Sequence, residues 1–310
     1  FTPHGGRLRS QNFEGLMRSM SQANAWSKYP IDTLNDFHPD WLGGRRAYLL
    51  GGALMYELAA THGVDKIHDL NQRYARRVPF LINGPVKDET GLSYRRLLKE
   101  TYAHIQQKAQ EQVQTIQTAP VTQGQALPGQ GNNSFRPRFS PDGKFLAYVS
   151  GDQMMPTYVN LVERKAGTSL AATEPVRITQ GMGTEHLTWS NNSQLLAYNQ
   201  IENFRRYYVY SDIYVYNIAT QKSDRLTKGI RAGDMVFTPD DKFIVFVQNT
   251  PGSKQISILD LTSRESKVIY NPDHFGTNIF GLALSGSTLY FVEQSQKIRH
   301  LKALDITSGK

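Results

Sequence analysis

Histidine is the residue type most able to hold a metal or move a proton at neutral pH, and this chain has eight. They stand at His4, His38, His62, His68, His104, His186, His274 and His300. None has a second histidine four residues away, so no helix presents two imidazoles one turn apart, as a His-Glu-x-x-His zinc site requires. His62 and His68 flank Gly63 across an expected helix break and read as helix-end histidines, favourable near a C-terminal dipole. Cysteine is absent, which removes thiolate ligands and disulfides. No Gly-x-x-x-x-Gly-Lys-Ser/Thr, Gly-x-Gly-x-x-Gly or Gly-x-Ser-x-Gly occurs, so phosphate cradles and a nucleophile elbow are missing too. What stands out instead is Asn203-Phe-Arg-Arg-Tyr-Tyr-Val-Tyr210. Paired arginine with interleaved tyrosine is the composition of binding hot spots, although alternating tyrosine is also ordinary strand chemistry. Arg205, Arg206, Tyr207 and Tyr208 are therefore the candidate partner-binding residues. Asp152 to Tyr158 and Asp234 are weaker candidates, placed near strand ends that could face a central channel.

The elements that position these residues repeat. Arg136-Pro-Arg-Phe-Ser-Pro-Asp-Gly-Lys-Phe-Leu-Ala-Tyr-Val149 returns as Leu187 to Asn199, as Met235 to Val247, and in worn form as Leu282 to Val292. Each copy reads apolar strand, tight polar turn, apolar strand. The turns begin at Ser140, Ser190, Thr238 and Ser285, at spacings of 50, 48 and 47. A period in that range, built from short strands, predicts the blades of a propeller. Pro141 presets φ and Gly143 permits φ above zero, so the first turn reverses tightly. Asp241 takes the glycine place in the third copy and Asn192-Ser193 in the second. In blade two the strands are predicted at 185–190, 195–200, 211–217 and 222–227, with Asn203 to Tyr210 as an insertion. Blade three continues through 255–260 and 267–270, and blade four reaches 301–305 without an outer strand. Asn132 and Asn191 each begin a glycosylation sequon, in turns where Asn and Ser belong anyway.

Residues 1–112 read as helical. Leu49, Leu50, Ala53, Leu54 and Leu58 recur at the three-and-four spacing of a helix face over 45–62, and Gly63 follows as a C-cap. A second helix is predicted over 65–74, stopped by Val78-Pro79, and a third over 93–112. Residues 113–133 turn to Gln, Thr, Pro and Gly and read as a linker. Ala119-Pro-Val-Thr-Gln-Gly124 also matches the blade-ending segments 176–181 and 225–229, so the stretch near Val121 is expected to close the ring as a last outer strand. The expected fold class is thus helical followed by β, with a partial propeller of four-stranded antiparallel blades over 134–310. No apolar run is long enough to span a bilayer. The net charge of +8 is spread along the chain rather than gathered, which argues for ordinary solubility over nucleic-acid binding.

Two resemblances add to this. The Ser/Thr-Pro-Asp-Gly/Asp turn, Ile213-Tyr-Val-Tyr-Asn-Ile-Ala-Thr-Gln221 and the closing Arg225-Leu-Thr-Lys-Gly229 together resemble TolB-type propeller repeats, WD-like blades without the Trp-Asp pair. That resemblance covers about 134–310 and implies protein or peptide binding. Ala47-Tyr-Leu-Leu-Gly-Gly-Ala-Leu-Met-Tyr-Glu-Leu58 and Thr61-His-Gly-Val-Asp-Lys-Ile-His-Asp-Leu70 are similar to the helical segment beyond the zinc helices of gluzincin metallopeptidases. Phe1 to Arg9 looks like the tail of the stretch after their zinc-ligand glutamate. The resemblance implies that Tyr48 donates a hydrogen bond to a tetrahedral oxyanion, stabilising the transition state over the ground state. It also implies zinc in the parent protein, although no cofactor site lies in this chain, because the His-Glu-x-x-His region is missing. The expectation is a fragment of a periplasmic, outer-membrane-associated or secreted bacterial protein whose propeller binds protein or peptide beside a peptidase-like domain. The alternative is a non-catalytic scaffold with a degenerate peptidase-like part.

Overall fold

The computed structural model describes residues 11–35, 42–78, 80–120, 122, 124, 126–127, 133–151, 157–165, 167–170, 173–181, 184–296 and 298–308. The chain divides into two units, 1–124 and 125–310.

The first unit is helical: α1 (Gln11–Gln22), α2 (Gly52–His62), α3 (Asp65–Ala75), α4 (Asn83–Thr90) and α5 (Tyr94–Gln117), with short 3₁₀ turns between α1 and α2. Three helices are predicted, and five are present among the described residues. The expected helix over 45–62 is divided, because Ala47–Gly51 forms a π turn before α2 begins. Met20, Leu49, Leu50, Leu54, Leu58, Leu70, Val86, Leu97 and Leu98 close around one another as the core. Pro85 is accommodated in α4 because it sits in the first turn, whose N–H groups have no helical acceptor in any case. Ser93 caps α5 by accepting from the Arg96 amide. That helix runs past the predicted end at Gln112 to Gln117, since nothing helix-breaking stands before Pro120.

The second unit is four antiparallel sheets in a propeller arrangement. Blade one is β1 (Asn133–Phe139), β2 (Phe145–Gly151), β3 (Thr157–Glu163) and β4 (Val176–Gly181). Blade two is β5 (Leu187–Trp189), β6 (Leu195–Phe204), β7 (Tyr208–Asn217) and β8 (Lys222–Arg225). Blade three is β9 (Ala232–Phe237), β10 (Phe243–Thr250), β11 (Ser253–Asp260) and β12 (Ser266–Tyr270), and β13 (Asn278–Ser285), β14 (Thr288–Ser295) and β15 (Ile298–Asp305) form the fourth. Each sheet is a meander in sequence order. The fourth has three strands among the described residues. Of the ring-closing segment expected over 119–124, residues 121 and 123 lie outside the described set and 119, 120, 122 and 124 are not in a strand; the candidate stretch 152–156 also lies outside the described set.

Stacking of blades explains why the second strands read as continuous apolar runs. Leu196 and Tyr198 face blade one, whereas Ala197 between them faces blade three. Ile244 and Phe246 face blade two, and Val245 and Val247 face blade four. Side chains alternate across a strand, so a strand buried on both faces loses its polar positions.

The repeated turns share one hydrogen-bond scheme. Ser140 Oγ donates to Asp142 Oδ1 (2.6 Å) and accepts from the Phe145 amide. Ser190 with Asn192 and Leu195 repeats it, as does Thr238 with Asp240 and Phe243. The left-handed place falls on Gly143 (φ 70°), Ser193 (φ 62°) and Asp241 (φ 56°). The turns also bind one another. Ser193 Oγ accepts from the Asp142 amide, and Asp241 accepts from the amides of Asn191 and Asn192. Asn191, first residue of a sequon, has its side-chain amide bonded to Thr238 O and Asp241.

Candidate functional site

The residues singled out in blade two are not an insertion but the far end of the β6–β7 hairpin. Pairing runs without interruption from Leu195↔Asn217 to Phe204↔Tyr208. The correction has a simple cause: Tyr208-Val-Tyr210 continues the alternation of Asp212-Ile-Tyr-Val-Tyr216, so both strands extend beyond the body of the blade. Only Arg205, Arg206 and Tyr207 are left to turn the chain, and the Tyr207 amide donates to Arg205 O (2.9 Å).

That turn sets two consecutive arginines in left-handed backbone, with φ 47° at Arg205 and 68° at Arg206. A residue with a Cβ gives up about 1–2 kcal/mol in this region, which glycine does not. Nearby Arg231, just before β9, shares this backbone at φ 61°, as do Arg136 (φ 57°) and Arg264 (φ 61°) elsewhere in the blades.

The side chains form a ladder of rings and cations. The Arg205 guanidinium lies 5.1 Å from the Phe204 ring centroid. Phe204 and Tyr210 stand 5.1 Å apart, and Tyr208 stacks on Tyr210 at 5.7 Å. Arg231 covers Tyr210 at 4.2 Å and donates through Nη2 to its hydroxyl at 2.6 Å. Phe204 is seated on Gly229 (φ 78°), where an added Cβ would come within 2.6 Å of the ring. The base is packed and the tip is open: Tyr207 is 87% exposed, Tyr208 53% and Val209 59%. Glu202, the carboxylate closest to the tip along the hairpin, is turned away to Tyr214 Oη (2.6 Å) and Gln200.

Below the hairpin Asp212 is fully buried. It accepts from Arg225 Nη2 (2.6 Å), Thr227 Oγ1 (3.0 Å) and the Ile230 amide (3.0 Å). These bonds fix the segment that carries Gly229 and Arg231. Gly229 and Arg231 were not among the sequence candidates. The pairing of Phe204 and Tyr210 with them is a contact between separated segments, and no local pattern announces it.

The other candidates lie elsewhere. Tyr48 is in the π turn of the first unit and is 56% exposed. Arg46 beside it is buried, donating to Thr33 O and lying over the Tyr29 ring. Asp234, in β9, is a junction of three blades. It accepts from the amides of Gly281 (2.9 Å) and Leu282 (3.0 Å) and stands 3.5 Å from His186 Nδ1. Burial pushes its carboxyl up, but the His186 hydrogen bond and the two amides outweigh this and hold it below the usual range. Lys254 near it is held below the ordinary lysine value by burial. Among the described residues no group of three or more His, Asp or Glu is placed to hold a metal ion. His68 pairs with Gln72 and His104 with Glu57 instead.

No protein-family model matches the sequence, and a search of curated proteins returns no match. Solved structures similar to the chain include TolB from Acinetobacter baumannii, at 23% identity and a TM-score of 0.46 over 57% of this chain and 42% of that one. A puromycin-hydrolyzing peptidase of Mycobacterium tuberculosis is similar at 14% identity and a TM-score of 0.47, over 60% of this chain and 29% of that one. The tricorn protease is similar at 15% identity and 0.46, over 57% and 22%. The chain thus spans less than half the length of each of these three.

Proposed function

We propose that the propeller unit is a protein-binding module, and that the tip of the β6–β7 hairpin is its contact surface. One observation carries the reading: a packed aromatic base presents exposed Tyr207, Tyr208 and Val209 beside two arginines at positive φ. Tyrosine and arginine held in place before binding lose little entropy when a partner arrives, which is why they dominate binding hot spots. The resemblance of the repeats to TolB-type blades supports a protein or peptide ligand and a location in the cell envelope. The test is site-specific cross-linking from a photoreactive phenylalanine in place of Tyr207, with the same residue at exposed Ser263 of blade three as the control. A discrete protein adduct is expected from position 207 and not from 263. Equal adducts, or none from 207, would contradict the proposal.

A second reading is favoured by the place of Tyr48. Single π turns recur at functional sites, and this one carries an exposed phenol at the position where the gluzincin resemblance puts an oxyanion donor. In this reading the helical unit belongs to a zinc-peptidase-like domain whose metal site lies outside these residues. Tyr48→Phe in the intact protein should then lower peptidase turnover about a hundredfold, and unchanged turnover would refute the role.

A further inference from the structure

We infer that the hairpin tip recognises an acidic segment of its partner, with Arg205, Arg206 and Arg231 as the carboxylate-binding groups. This rests on the reading of the hairpin as a contact surface and adds the chemistry of what it contacts.

Three observations converge. The first is charge. From Asn203 to Tyr210 the sequence holds two arginines and no carboxylate, and Glu202 is engaged by Tyr214 and Gln200. Arg231 adds a third guanidinium against Tyr210. Among the described residues no carboxylate pairs with these three arginines, a local excess that an acidic partner would complete.

The second is backbone. Arg205, Arg206 and Arg231 all have positive φ, at 47°, 68° and 61°. Turns of this kind are satisfied by Asn and Gly without strain. Arginine at these three places makes the fold less comfortable, so its contribution lies in the side chain and not in the turn. Strained residues of this sort concentrate at binding sites.

The third is presentation. The Arg205 and Arg231 guanidinium groups are each held over an aromatic ring, Phe204 and Tyr210. Among the described residues the N–H edge of Arg205 has no acceptor, and Arg231 spends one N–H of Nη2 on the Tyr210 hydroxyl and keeps its other donors, which leaves N–H groups for the hydrogen bonds that arginine makes to a carboxylate. Tyr207 and Tyr208 stand exposed beside them, so apolar side chains flanking the carboxylates would find cover there. The best ligand is therefore an extended peptide with acidic residues interleaved with apolar ones.

The experiment uses the whole chain and a fluorescein-labelled dodecapeptide of alternating Asp and Leu, with Asn-Leu and Lys-Leu counterparts. Fluorescence anisotropy should show the Asp peptide binding at least tenfold more tightly than either counterpart, with the difference shrinking as salt rises. The Arg205→Asn/Arg206→Gly variant should lose at least tenfold in affinity for the Asp peptide, since each charge-assisted pair is worth about a decade. The same variant should melt higher by roughly 2 °C, because the turn is relieved. A purely structural role for the arginines would lower both. Equal binding of the three peptides, no binding of the Asp peptide, or an unchanged affinity in the variant would each overturn the inference. If the cross-link from position 207 still forms in any of these cases, the contact surface stands and only its acidic preference falls. Loss of the cross-link would remove the surface itself.

Discussion

Asp234 belongs to blade three, yet its bonds reach the amides of Gly281 and Leu282 in blade four and its carboxylate stands against His186 at the start of blade two. His186 faces it, and Lys254 lies near enough to feel its charge together with that of Glu185. The carboxyl is held below its ordinary value, so in the folded state it stays ionised where an unfolded chain would begin to take up protons. Stability from a depressed carboxyl is present above the unfolded value, near 3.9, and is lost as the pH falls through the folded value. Asp234→Asn should therefore lower stability by about 1–2 kcal/mol at pH 6, the group being partly exposed, and by progressively less below about pH 4. Thermal melts of both proteins from pH 3 to 6 test this, and curves that stay parallel across the range would show that Asp234 is not the junction described. The sequence places Asp234 near a strand end that could face the channel. Its contacts with His186 and the blade-four amides leave no trace in the local pattern, because they cross between repeats.

The blade is the element that was most legible. Its turn chemistry is local: a hydroxyl at the first position, a carboxyl or amide two residues later and a tolerated left-handed residue after it are all visible in the chain. The expected substitution of Asp241 and of Asn192-Ser193 for glycine is borne out, with Ser193 in the left-handed position. Strand ends were less legible. The outer strand of blade two stops at Arg225 and not at Thr227, because Thr227 turns its hydroxyl to Asp212 and the Ile213 amide. The long hairpin was misread for a related reason. Two consecutive arginines look like the interior of a loop, and nothing in their type signals that they occupy the positive-φ turn of a continuous ladder. In the helical unit, α1 and α4 escaped notice. The Gly84-Pro85 pair reads as a break unless its place in the first turn is known, and the apolar residues Phe13, Leu16, Met17 and Met20 of α1 recur at helical spacing in a stretch that the reading of 1–112 left undivided.

At the scale of the whole chain, composition and period gave the order of the two units, helices before blades, and the stacking of the sheets follows from strands apolar on both faces. The candidate site is of another kind. Arg205, Arg206, Tyr207 and Tyr208 were visible as residues, but their seat on Gly229 and the clamp by Arg231 exist only once β6 and β7 are brought against the segment before β9. Because the hairpin projects beyond the paired body of blade two, it can be removed without touching a core strand. Replacing residues 203–209 by Asn-Gly joins Glu202 to Tyr210, which already face each other across the ladder, through a turn suited to two residues. The measurement that bears most directly on the central claim is the affinity of this shortened protein for the partner captured from position 207, taken beside its melting midpoint. The account predicts a midpoint within about 4 °C of the parent and an affinity reduced at least about tenfold. An unchanged affinity in a protein that melts normally would contradict it.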